Sequence, residues 1–231
     1  MSATSATSTA ARIWAVCAKD ATEELRNRVA TLAVLFFAAT ALALTSYAIG
    51  PFGLAPEDRP PLQAALFWII LFFAAATGLP RAFVREEETG TALALRKTLP
   101  GALVLAGKAL YNFGLFLAIA AVVIPGFLLL LDWRVAAPVT LAAVVVSGGF
   151  GLSVVSTFLS ALTARAGQRN VLFVLVAFPL VLPLLLTAIS GTLAATRGGA
   201  SDAWTPLRVL IAYDGVASCA AYLLAEAAWE D

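Results

Sequence analysis

Long apolar runs alternate with short polar connections along almost the whole chain. Thr31 to Gly50, Leu62 to Pro80, Leu105 to Leu131, Ala137 to Ala164, Asn170 to Thr196 and Pro206 to Trp229 are the six runs. Each reaches or exceeds the roughly 20 residues that carry an α-helix across a hydrocarbon core about 30 Å thick. The pattern predicts an all-α, polytopic membrane protein with six transmembrane helices, because a helix satisfies its own backbone groups where no water can. Residues 11–30 follow another rule. Trp14, Cys17, Ala21 and Leu25 recur at a spacing of three to four, with Arg12, Lys19, Asp20, Glu23 and Arg26 on the other side. That spacing predicts an amphipathic helix lying in the headgroup layer. Residues 1–10, chiefly Ser, Thr and Ala, have no core-forming pattern and are expected as a disordered tail. The chain thus divides into a tail (1–10), an interfacial helix (11–30) and a six-helix transmembrane domain (31–231). The first run is expected to stay uncleaved, since an amphipathic leader of about 30 residues is too long for a signal-peptide n-region.

Within the runs, Pro125 beside Gly126, and Pro179 with Pro183, remove backbone donors and predict bends in the third and fifth spans. Ser147, Gly148, Gly149, Gly151, Ser153 and Ser156 make the fourth span small on several faces. This permits close packing either within the chain or across a dimer seam. Asp214, beside Tyr213, is the one carboxylate well inside a predicted span, about eight residues or roughly 12 Å from Pro206. Burying it costs several kcal/mol unless it is paired or protonated. Two readings stay open: a role in subunit contact or conformational change, or a carboxyl satisfied by neighbouring backbone or by Tyr213.

Composition narrows the chemistry. The chain is 61% hydrophobic and 13% charged, against roughly 25% charged in soluble domains, and its net charge of +1 gives no reason to expect a nucleic-acid partner. Of the fifteen Lys and Arg residues, eleven fall before the first span or in the second and fourth connections, and four (Arg59, Arg134, Arg197, Arg208) fall in the others. The bias places both termini in the cytoplasm. Lys108, Arg165 and Arg169 sit at that cytoplasmic boundary and are expected to snorkel to the headgroups. The turn Asp132-Trp133-Arg134 reads as an anchor on the other face, with Trp133 at headgroup level. Histidine is absent and Met1 is the only methionine, which removes the usual metal and haem-iron ligands and the commonest general base. Cys17 and Cys219 have no metal-ligand or disulfide spacing and read as small apolar fillers. No catalytic or metal-binding residue is predicted, and an intramembrane enzyme is disfavoured for want of a nucleophile pair.

The longest cytoplasmic connection reads RAFVREEETGTALALRKTLPGALVLAGK from Arg81 to Lys108. Arg85 and the acidic run Glu86, Glu87 and Glu88 precede the breaker Gly90. Leu93, Leu95 and Leu99 then give one side of a short helix whose Arg96 and Lys97 complement its dipole. A leucine-bearing helix without a core of its own predicts a docking element; the alternative is a solvated loop on the membrane surface. The Gly-Lys at 107–108 is no phosphate-binding loop. The glycines are separated by five residues, Ala109 stands where Ser or Thr would hold Mg²⁺, and no strand precedes it. Any ATPase must be another polypeptide.

At these residues the chain resembles the cytochrome c maturation permease, or haem exporter protein B (CcmB), family, the membrane subunit of an ABC-type complex. The resemblance rests on Arg85-Glu-Glu-Glu-Thr-Gly-Thr with Leu93, Leu95 and Pro100, closed by Gly107-Lys108-Ala109-Leu110-Tyr111-Asn112. It continues in Ala161-Leu-Thr-Ala-Arg165 with Arg169 and Phe178-Pro-Leu-Val-Leu-Pro183, and in Tyr213-Asp214 with Glu226. With the helix count it spans nearly the whole chain. Where the family often has Gly-Thr-Leu-Glu, this chain has Gly90-Thr91-Ala92-Leu93 without the acid.

The resemblance implies an ABC-2-type permease architecture in the bacterial inner membrane. It implies a homodimer bound to a cytoplasmic ABC ATPase that holds the ATP, with the connection between spans two and three as coupling helix. It also implies a haem-handling membrane protein, a small single-span subunit and a periplasmic haem chaperone as partners. The expected role is to couple ATP hydrolysis to haem delivery, or to release of the haem-loaded chaperone, with haem held mainly by partners. A general ABC-2 export permease for lipid, polysaccharide or drug, and a non-transporting assembly scaffold, are the alternatives.

Overall fold

The computed structural model describes residues 8–26, 29–49, 58–78, 99–163, 169–198 and 202–225. Among them the regular structure is wholly α-helical, with no strand: α1 (Thr9–Arg26), α2 (Val29–Ile49), α3 (Arg59–Gly78), α4 (Gly101–Leu130), α5 (Pro138–Thr163), α6 (Arg169–Arg197) and α7 (Trp204–Ala225). Helices α2 to α7 are each long and apolar enough to cross a membrane, so the expected all-helical, six-span architecture is found.

Local chemistry explains the helix ends. Ser8 caps α1, its Oγ accepting the Ala11 N–H at 3.3 Å. Helix α3 starts at Arg59, three residues before the predicted span, because Pro60 and Pro61 fall in its first turn, where a missing N–H breaks no hydrogen bond. Likewise α4 starts at Gly101, behind an extended Pro100. Its 30 residues make it about 45 Å long, well beyond the apolar core it crosses. Pro125, Pro179 and Pro183 lie inside α4 and α6, which run on through them. Gly198, with φ +81°, closes α6 in a conformation only glycine takes at ease.

One end of the bundle gathers the end of α2, the start of α3, the end of α4 and the end of α6. Ser46 Oγ donates to the Leu130 carbonyl at 3.0 Å, and Gln63 Nε2 to the Leu131 carbonyl at 2.8 Å. The Ala137 N–H donates to the Ala195 carbonyl at 2.9 Å. Here Asp132 adopts φ 46° and the Phe127 carbonyl accepts from both Leu131 and Trp133. The chain therefore turns Trp133 inward, 3% exposed, against Phe67 and Phe127 at ring separations of 5.0 and 5.4 Å. The expectation that Trp133 anchors the headgroup layer is corrected: an aromatic pocket from α3 and α4 offers it more apolar contact than the interface does.

Helix α5 is the centre of the bundle: 61% of its spanning window is buried within the chain, against 11% for α7. Its small residues act as sockets. Trp68 of α3 lies over Gly148, Phe116 of α4 over Gly149, and Asp214 of α7 with Leu184 of α6 over Gly151. Trp68 and Phe116 also stack on each other at 6.4 Å, and Trp68 Nε1 donates to Thr192 of α6 at 2.8 Å. Of the two uses left open for the small residues of the fourth span, these three glycines serve close packing within the chain.

Candidate functional site

Three groups of polar side chains are buried where lipid or apolar packing would otherwise be expected. The first joins α5 to α7. Ser147 Oγ donates to Asp214 Oδ2 at 2.7 Å, and Asp214 is only 9% exposed. Its other oxygen, Oδ1, has no hydrogen-bond partner among the described residues and lies over the Cα of Gly151. Among the described residues the carboxyl's hydrogen-bond partner is Ser147, and not the neighbouring backbone or Tyr213 named as partners in the simpler of the two sequence readings. The Tyr213 hydroxyl instead donates to the Leu180 carbonyl of α6 at 2.7 Å. That carbonyl is next to Pro179, whose own carbonyl has lost its helical donor because Pro183 has no N–H. The pair Tyr213-Asp214 thereby ties α7 to α6 and α5 through two neighbouring residues.

The second group joins α4 to α5. Asn112 Nδ2 donates to Thr157 Oγ1 at 2.7 Å, Thr157 Oγ1 donates to the Ser153 carbonyl at 2.6 Å, and Ser153 Oγ to the Gly149 carbonyl at 2.7 Å. All three side chains are buried. Such bonds hold helices in fixed register, since a slipped pair leaves a polar group in hydrocarbon.

The third group joins α1 to α4. Lys108 is fully buried and its Nζ lies 3.1 Å from Asp20 Oδ2. Lys19 adds contacts to Asp20 at 3.8 Å and Glu23 at 3.5 Å. One residue before Lys108, Gly107 lets the α1 backbone approach closely. A Cβ there would stand 2.6 Å from Val16 Cβ and 2.9 Å from the Ile13 carbonyl. The expectation that Lys108 snorkels to the headgroups is therefore corrected: an acid delivered by α1 gives the ammonium a partner inside the protein. Helix α1 meets the bundle through a narrow face. Val16 and Asp20 face the protein, while Trp14 and Leu25 are 65% and 66% exposed. Beside Asp20, burial first and the carboxylate second raise the Cys17 thiol above its ordinary pKa.

The remaining predicted residues fall as follows. Arg85, Glu86, Glu87, Glu88, Gly90, Leu93, Leu95 and Arg165 lie outside the described residues. Leu99 is half-buried and packs on a cluster that includes Val104, Leu105 and Ala109 of α4, so it helps close the bundle. Arg169 is the first residue of α6. Sequence reasoning missed the partners Ser147 and Asp20. The only signal of the first was a hydroxyl inside the fourth span, and of the second an acid in an amphipathic helix and a lysine near a span's start. Among the described residues no three His, Cys, Asp or Glu side chains converge on a metal-sized site.

A family model described as CcmB protein matches residues 11–229, which include all three polar groups. A comparison with curated proteins finds no match.

Proposed function

The chain belongs to the CcmB family, whose members are membrane components of ABC systems for haem export and cytochrome c maturation, and on that premise we propose that it is the permease subunit of such a complex. The reading rests on the family match, which covers nearly the whole chain. In it, a separate cytoplasmic ATPase binds and hydrolyses ATP, and this bundle converts the cycle into haem delivery or release of a haem-loaded periplasmic chaperone. The subunit is a homodimer in the bacterial inner membrane, accompanied by a haem-handling membrane protein and a small single-span subunit.

Two features support the assignment of roles. The chain contains no histidine and no methionine beyond Met1, so partners hold the haem iron. The four basic residues outside the cytoplasmic set, Arg59, Arg134, Arg197 and Arg208, belong to the helix ends around Trp133. That end therefore faces the periplasm and the end bearing α1 and the start of α4 faces the cytoplasm. The connection at 81–98 joins the bundle at this cytoplasmic end, where Leu93 and Leu95 are the proposed docking side chains.

The test is affinity isolation of the subunit in mild detergent with identification of what comes with it. An ABC ATPase is expected, and it is expected to be lost on Leu93→Asp or Leu95→Asp. Isolation of the unsubstituted subunit in a working cytochrome c assembly strain without any ATP-hydrolysing partner overturns the reading. So does a stoichiometric, axially ligated haem spectrum for the isolated subunit.

A further inference from the structure

We propose that Asp214 is a proton-binding site: in the packed bundle its carboxyl is the neutral acid, so that closing α7 on α5 takes up one H⁺ and parting them releases it. The inference concerns the bundle itself and does not rest on the permease reading.

Position comes first. Asp214 lies near the midpoint of α7, about 15 Å along the axis from either end. That is the middle of a spanning helix, far from both headgroup layers. The side chain faces the protein and is buried, while Ile211 and Val216, on the outer surface of α7 at the same level, are apolar and exposed. Hydrocarbon and not water therefore covers this part of the helix.

A carboxylate at such a depth persists when a cation or several donors face it. Among the described residues one donor reaches Asp214, the Ser147 hydroxyl at 2.7 Å from Oδ2. Oδ1 has none. It is pressed into the close approach of α7 to α5, where a Cβ at Gly151 would meet both Oδ1 and Leu184 Cδ1.

No cation stands nearby on the elements packed against it. Helix α5, Pro138–Thr163, contains no charged or titratable side chain. Helix α6 carries Arg169 and Arg197, at its two ends. Helix α4 supplies Tyr111 and Lys108, and the Lys108 ammonium is engaged by Asp20. On α7 itself, Arg208 is exposed, stacks over Trp204 at 5.1 Å and lies six positions away, on another face. Tyr213 donates to the Leu180 carbonyl, and Cys219 and Tyr222 are exposed.

One hydroxyl is too little for a full negative charge in such an interior, and a carboxyl so placed neutralises by taking a proton. In the neutral acid Oδ2 is the carbonyl oxygen that accepts from Ser147, and Oδ1 carries the hydrogen. The step is R–COO⁻ + H⁺ → R–COOH, with water as source and sink. When α7 parts from α5, water reaches the carboxyl, restores the solvation that favours its charge and accepts the proton. The seam closes again once a proton returns, so any movement that opens it carries one H⁺ in each cycle.

The test is infrared spectroscopy of the full-length subunit, with the partners that copurify, reconstituted in lipid at neutral pH. The unsubstituted protein is expected to show a carboxylic-acid C=O band that Asp214→Asn lacks. Ser147→Ala is expected to move that band to higher frequency, because the carbonyl loses its hydrogen bond. Isotopic labelling of aspartate carboxyls in the unsubstituted protein shifts the same band, so the assignment does not depend on either variant folding. Absence of the band, a band unmoved by the label, or a carboxylate band lost in Asp214→Asn overturns the proposal. Thermal unfolding across pH is the second readout. The folded chain holds a proton that the unfolded chain, in water, gives up above about pH 4, so this contribution to stability is lost as pH rises. The unfolding temperature of the unsubstituted subunit is expected to fall from mildly acidic to alkaline pH more steeply than that of Asp214→Asn. Cys17 titrates in both proteins, so the difference between them belongs to Asp214. Equal slopes overturn the link between proton and packing.

Discussion

Ser147 and Asp214, on helices that are consecutive neither in sequence nor at a shared turn, meet through a single 2.7 Å hydrogen bond in the interior of the bundle. One carboxyl oxygen accepts that bond; the other has no hydrogen-bond partner among the described residues and lies against Gly151, where a Cβ would stand.

Removing the donor strands the carboxyl altogether. Ser147→Ala is expected to destabilise the subunit by about 1–3 kcal/mol, the cost of an unsatisfied buried polar group, seen as a lower unfolding temperature in detergent. Asp214→Asn, which keeps an acceptor for Ser147, is expected to cost less and to insert normally. If Asp214 serves conformational change, the same variant impairs cytochrome c maturation. Unchanged cytochrome c output from Asp214→Asn assigns the carboxyl to packing alone.

Glycines that look equivalent in the sequence are expected to separate sharply. A Cβ at Gly151 runs into Asp214 and Leu184, so Gly151→Ala should cost about 1–3 kcal/mol through overpacking. Gly114 has nothing within 4 Å of such a Cβ, so Gly114→Ala should be neutral or stabilise α4 by about 0.5–1 kcal/mol. Thermal unfolding of the two variants side by side checks the contrast, and equal effects contradict the packing around α5.

Three tryptophans report on burial. Trp14 and Trp204 are 65% and 55% exposed on the bundle surface, while Trp133 is 3% exposed. In single-tryptophan variants reconstituted with brominated lipids, the first two are expected to be quenched strongly and Trp133 weakly. Strong quenching of Trp133 by shallow bromines returns it to the headgroup layer.

The Cys17 thiol offers a pH test. Burial and the Asp20 carboxylate raise its pKa, so the thiolate forms only at more alkaline pH than in a free cysteine, near 8.5. The sign follows: the folded state holds this proton more tightly than the unfolded one, so its contribution is full at neutral pH and is lost as pH rises through the raised value. The rate of Cys17 alkylation is expected to climb with a midpoint above that of free cysteine. Asp20→Asn is expected to shift the midpoint down, and an unshifted midpoint in the unsubstituted protein contradicts the packed α1.

Much of the architecture was legible without coordinates, for a reason that residues such as those of Thr31 to Ile49 make plain. In lipid, hydropathy alone selects the spanning segments, because a helix is the one local solution for an isolated apolar run. Asp214 was also legible as an anomaly, since a carboxylate inside a span stands out against any apolar background. Its partner was not, because Ser147 reads equally well as one more small residue beside Gly148. The same ambiguity hid the role of the glycines: only the positions of Trp68 and Phe116 turn Gly148 and Gly149 from candidate dimer contacts into sockets.

The sequence by itself determined that this protein is a six-span helical bundle of the CcmB family with an amphipathic N-terminal helix, because those properties reside in the order and periodicity of side chains. Only the tertiary structure decided that Lys108 pairs with Asp20 instead of reaching the headgroups, and that Trp133 turns inward onto Phe67. Those outcomes depend on which surfaces arrive opposite one another. Residues 88 positions apart, such as Asp20 and Lys108, carry no local mark of their pairing. A charge finds a buried partner, or an indole an aromatic pocket, only once helix packing has created the place.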